Sequence, residues 1–120
     1  MRATRLSSQP NGGTQIDDIW LRGNLIDPIR WLGEPIAVTT LRGRRVDALT
    51  EQPMHPAPRA QVAVILGGAL EVETPSGHTR RFDVGDVVFL EDTSGPGHIT
   101  RVVKAPATFL EIHLALAAER

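Results

Sequence analysis

The 120-residue chain has no cysteine and no tyrosine, few aromatic residues, no excess of charge of either sign and no long apolar run. Without cysteine there can be no disulfide framework, no thiolate metal site and no cysteine nucleophile, so any chemistry falls to His, Asp, Glu, Gln and Ser/Thr. Thirteen basic residues stand against fourteen acidic ones, a net charge of −1, which lacks the surplus that binding to a phosphate backbone requires. Nucleic acid is therefore not an expected partner. No window approaches the roughly eighteen apolar residues of a membrane span, and the start (MRATRLSSQPNGG) has a positive charge with no apolar stretch behind it. The chain reads as soluble and cytoplasmic, with no membrane partner. A Ser-His-Asp order and a phosphate-cradling glycine loop are both missing, and with them acyl and phosphoryl transfer.

What is present is enough apolar sequence, 41% of residues, for one core in a domain of this length. Ser7 to Thr14 (SSQPNGGT) is too poor in apolar side chains to offset its own ordering entropy, so residues 1–14 are expected to form a flexible segment, with a single domain over 15–120. Between Ile19 and Val46, Gly23, Pro28, Gly33, Pro35 and Gly43 cut the apolar runs before any 3.6-residue period can develop. Short strands are expected there, with Trp20, Leu21, Ile26, Ile29, Trp31 and Leu32 covering one side of the core and the β-branched Ile36–Leu41 as the clearest early strand.

Gln61–Leu66 and Ala69–Thr74 flank Gly67-Gly68, a dipeptide that suits a tight hairpin turn. A meander follows through His78–Phe82 and Asp86–Leu90, and then Ile99–Val103 and Thr108–Leu116 supply two further strands. In the last, Leu110, Ile112, Leu114 and Leu116 share one face by period-two alternation, while Phe109, Glu111 and His113 share the other, which either lines a cavity or meets solvent. Many short strands at regular spacing predict an all-β sandwich or small barrel.

The four histidines, His55, His78, His98 and His113, are the obvious chemical resource. Pro56 and Pro58 exclude a helix, so His55, Ala57, Arg59 and Gln61 alternate onto one face of an extended segment. Imidazole, with an ordinary pKa of about 6.5, serves as general acid or base near neutrality. A neutral Gln can orient a carbonyl or hydroxyl, and an Arg that points inward can bind a carboxylate or phosphate. His78 follows Gly77 in a turn and is expected to be exposed; Glu91 and Asp92 follow a buried strand, in a position typical of a solvated loop.

His55-Pro56-Ala57-Pro58-Arg59-Ala60-Gln61 followed by Gly68, with Gly85 and His98 further on, resembles the two motifs of the cupins, G-x5-H-x-H-x3,4-E-x6-G and G-x5-P-x-G-x2-H-x3-N. The resemblance covers about residues 50–105. His55 falls on the first family His, Ala57 on the second, Gln61 on the Glu and Gly68 on the closing Gly. In the second motif Gly85 matches the opening Gly and Gly95-Pro96-Gly97-His98 matches G-x2-H, with an interval two residues longer, Thr93 in place of Pro and Val102 in place of Asn.

The resemblance implies a cupin-like jelly-roll antiparallel β-barrel and a metal site formed by three His and one Glu. Here two of those ligands are replaced, leaving His55, Gln61 and His98 as a three-point site for a weakly bound divalent metal (Fe, Mn, Ni or Zn) or for no metal. The catalytic candidates are His55, His98 and Gln61, with Arg59, Glu91 and His113 as candidate substrate contacts. The expected function is His-assisted proton transfer on a small-molecule substrate by an isomerase, lyase (dehydratase) or cyclase, as in secondary metabolism. A metal-dependent oxygenase and a non-catalytic small-ligand or sensory module are the alternatives. A homodimer is expected, its contact supplied by the apolar N-terminal strands.

Overall fold

The computed structural model describes residues 1–115. Ten strands run along the chain: β1 (Arg2–Ser8), β2 (Thr14–Trp20), β3 (Gly23–Asp27), β4 (Arg30–Gly33), β5 (Val38–Val46), β6 (Thr50–His55), β7 (Gln61–Glu73), β8 (Thr79–Phe82), β9 (Val87–Glu91) and β10 (His98–Leu114). Eight form one sheet in the order β2-β1-β9-β7-β10-β5, with β6 also on β10 and β8 also on β7. All pairings are antiparallel except that of β1 with β9. The fold is all-β, an eight-stranded barrel-like sheet of the kind that the strand spacing predicts. Among the described residues no helix is long and apolar enough to cross a membrane.

Two long strands hold the barrel together. The first part of β7 pairs with β9 and its last part with β8; β10 pairs with β6 at its start and with β5 at its end. The expected hairpin at Gly67-Gly68 is corrected here: β7 runs through it, pairing with β10 from Glu73↔Ile99 to Gln61↔His113. Gly68 has a φ of +67°, and a Cβ on it would overlap the carbonyls of Lys104 and Pro106. Glycine therefore allows the bulged backbone around residues 104–107 to press against β7, and the positive φ makes a bend instead of a reversal. The two strands expected at the C-terminal end are likewise one, β10; Leu116 lies outside the described residues.

Alternation sorts the side chains. One set of β-strand positions gathers Leu6, Ile16, Ala63, Ile65, Leu70, Val72, Phe82, Val88, Val102 and Ala107 into the barrel core. The opposite set builds a second apolar cluster of Ala3, Val62, Phe89 and Leu114, flanked by Ile19, Val64, Val87 and Ile112. The sheet is thus apolar on both faces.

Two expectations about the N-terminal half are overturned. Residues 2–8 form β1, between β2 and β9, and Leu6 is completely buried. Burial of such a side chain contributes about 1.5–3 kcal/mol, and together with buried Ala3 and the ladders to β2 and β9 it works against the ordering cost that a purely local reading assigns to the segment. Trp20, Ile26, Ile29, Trp31 and Leu32 do not cover the core: Trp20 is 72% exposed and Ile29 89%. Strands β3 and β4 pair only with each other and stand off the main sheet as an arm.

Candidate active site

A cavity of about 360 Å³ opens at one end of the barrel, within the size range of small-molecule sites. Ala63, Leu70 and Leu90 form its floor and belong to or pack on the core; the walls carry His55, Arg59, Gln61, His98, Glu111, His113, Arg42 and Arg44.

The two histidines singled out by spacing meet across a strand pair. β6 ends on His55 and β10 begins on His98, and the two are register partners with ring centroids 5.9 Å apart. Gly97 makes this approach possible: at φ +78°, a Cβ would overlap the carbonyl of His55.

Each ring is oriented by its Nδ1. His55 Nδ1–H donates to the Pro53 carbonyl at 2.8 Å. His98 Nδ1 lies 2.5 Å from Asp92 Oδ2 and, facing a carboxylate, donates to it. Both histidines are left with Nε2 as the nitrogen available to the cavity they line.

Asp92 is the residue that the loop reading misplaces: it is fully buried. Its backbone carbonyl accepts from Ala57 N at 3.0 Å, tying the His55–Gln61 segment to the 92–98 loop. Thr14 Oγ1 donates to the Gly97 carbonyl at 2.9 Å and packs 3.4 Å from Asp92 Oδ2. Asp92 Oδ1 is buried without any hydrogen-bond partner. The carboxylate is therefore directed at one ring, fixing its tautomer and facing it when Nε2 gains a proton.

On the opposite wall Glu111 is only 7% exposed. Its Oε2 accepts from Arg42 Nε at 2.8 Å and His113 Nε2 at 2.9 Å, and its Oε1 from Arg44 at 3.0 Å. Burial, the largest single influence, pushes its carboxyl upward, but Arg44, His113 and Arg42 together hold it below its ordinary value. His113 also meets Thr40 Oγ1 through Nδ1 at 2.9 Å. Its two ring nitrogens are both engaged, so His113 lines the cavity without offering a free nitrogen. Arg44 lies over the Phe109 ring at 5.9 Å.

Of the residues picked out from sequence, the structure brings His55, Arg59, Gln61, His98 and His113 to one cavity. Glu91 is not there: alternation turns Leu90 inward and Glu91 outward, where it pairs with Arg5 at 2.5 Å. His78 is exposed, as expected. Sequence reasoning missed Asp92, Glu111, Arg42 and Arg44. The two-residue alternation of Arg42 and Arg44, and of Glu111 and His113, was the only signal for three of them; nothing local marks Asp92 as buried.

The metal set implied by the cupin resemblance does not fit these residues. Ala57 has no donor, Gln61 is neutral, Asp92 is committed to His98, and Glu111 is held by three cationic or N–H donors. Among the described residues no group of three His, Asp or Glu side chains is placed to hold a metal ion.

The chain matches no protein-family model and no curated protein. It is similar to a solved structure from Salmonella typhimurium LT2 assigned to ethanolamine utilization protein Q, at 16% identity over 95% of each chain with a TM-score of 0.43.

Proposed function

We propose that the chain is a small-molecule enzyme of the isomerase, lyase or cyclase type that works by proton transfer between histidines. The Asp92–His98 pair carries this reading: a completely buried carboxylate, with one oxygen free of any other partner, holds a cavity-lining imidazole by Nδ1. This is how a general base is oriented.

In this scheme His98 Nε2 removes a proton from the substrate, and the positive charge that develops on the ring faces Asp92. His55, the register partner of His98, enters the cycle protonated on both ring nitrogens and gives its Nε2 proton to a second substrate atom, and proton exchange with solvent then returns both rings to their starting forms. Return to carbon completes an isomerisation; delivery to a departing hydroxyl completes a dehydration. Gln61 offers an amide N–H to a substrate carbonyl, favouring the charge that builds on oxygen as the C–H proton leaves. Ala63, Leu70 and Leu90 give the cavity an apolar floor against which the carbon skeleton of a small substrate can pack. No step requires a metal.

The reading is tested with a panel of small keto acids in D₂O, following loss of the α-proton signal by NMR. The expected result is faster exchange of at least one member with the native chain, lost in His98→Gln and in His55→Gln. Three results overturn the proposal: exchange undiminished in both variants, ligand-induced thermal stabilisation with no exchange at all, or near-stoichiometric Fe, Mn, Ni or Zn by elemental analysis of the purified chain.

A further inference from the structure

The cavity wall is cationic although the chain as a whole is not. Three guanidinium groups, Arg42, Arg44 and Arg59, line it against a single carboxylate, Glu111, in a molecule whose net charge is −1. Arg42 and Arg44 share Glu111, which has no oxygen to spare. Among the described residues Arg59 forms no ion pair. It stands exposed on the mouth segment Pro56–Gln61, and Gln61 and His55 lie on the same cavity lining. A cation held at the rim of a concave, partly apolar site focuses anions toward it, and a planar guanidinium matches a planar carboxylate in a two-bond fork.

From this we infer that the substrate is a small organic carboxylate, anchored by Arg59 and oriented by the positive wall of Arg42 and Arg44. The inference rests on the cavity being the substrate site, as proposed above. Anchoring the acid group at the rim leaves the neighbouring carbon to the histidines, where a carboxylate or keto acid has its removable proton. It also explains why the cavity carries more arginine than Glu111 needs.

Benzoate and its uncharged isostere benzamide separate charge from shape. Titrated into the full chain and followed by calorimetry, benzoate should bind at least about tenfold more tightly than benzamide, the size expected for one charge-assisted hydrogen-bonded contact. Arg59→Gln should remove that preference and Arg59→Lys restore part of it. Equal binding of the two probes, an undiminished preference in Arg59→Gln, or inorganic phosphate competing as well as benzoate would each overturn the carboxylate assignment. His98→Gln should still bind benzoate. Loss of exchange with retained benzoate binding in that variant supports both proposals, whereas benzoate binding without exchange in the native chain sinks only the proton-transfer reading.

Discussion

The two ends of the barrel are built from the same strands and behave as different materials. At the closed end β1, β7, β8, β9 and β10 turn Leu6, Ile65, Val72, Phe82, Val88 and Val102 into one apolar core. At the open end β7 and β10, now beside β5 and β6, turn Gln61, Glu111, His113 and His98 inward, with Arg42, Arg44 and His55 beside them. The bends at Gly67-Gly68 and around residues 104–107 switch which positions face inward, but a two-residue alternation holds on either side of them, and the ends differ in the residue types on the inward positions. The lesson is that one layer of inward side chains can hold the fold while the next holds the chemistry, and that each can be altered with little effect on the other.

Breaking the closed end should have the largest effect. Ile65→Ala removes an almost fully buried side chain and is expected to cost about 2–5 kcal/mol of stability, read from urea unfolding. Benzoate binding to the fraction that remains folded should be unchanged. A stability loss below about 1 kcal/mol would show that the core does not rest on this layer.

At the open end, His55→Gln should lower α-proton exchange by about 10²-fold or more while moving stability by less than about 0.5 kcal/mol. His55 is only partly buried, and its recorded bond is to a neighbouring carbonyl. If stability fell as far as in Ile65→Ala, the division between the ends would fail.

Glu111 lies where the two regions meet, and its effect should depend on pH. Its carboxyl sits below the ordinary 4.5 in the fold, so it contributes stability above that pH and loses it as pH falls through the folded value. Glu111→Gln should therefore be less stable than the native chain at about pH 7, with a smaller gap at about pH 3. Urea midpoints at both pH values check this, and a gap that widened on acidification would contradict the sign. The smallest effect belongs to His78→Ala: exposed and outside the cavity, it should change neither the melting curve nor the exchange rate.

Much of this was legible in the sequence, and the boundary follows a physical line. Alternation in Thr108–Leu114 and in His55–Gln61 is a local pattern, and each segment contributes side chains to the cavity lining. The length of β7 was not legible, since Gly67-Gly68 favours a turn unless a partner as long as β10 is there to pair with both sides. The order in β1 was hidden because Leu6 gains its burial from β9, more than eighty residues away. Trp20 and Trp31 read as core anchors by residue type alone, and only the separate pairing of β3 with β4 sets them outside.

By itself the sequence determined the class of fold, the lack of thiol chemistry, and the set of histidines from which a site could be drawn, because period-two patterning and composition are properties of neighbouring residues. The tertiary structure decided which carboxylate serves which histidine. Asp92 reaches His98 through a loop pinned by Thr14 and Ala57, and Glu111 meets Arg42 and Arg44 across a strand pair. Such contacts depend on long-range register, and burial there gives a carboxylate with few partners its direction and its effect.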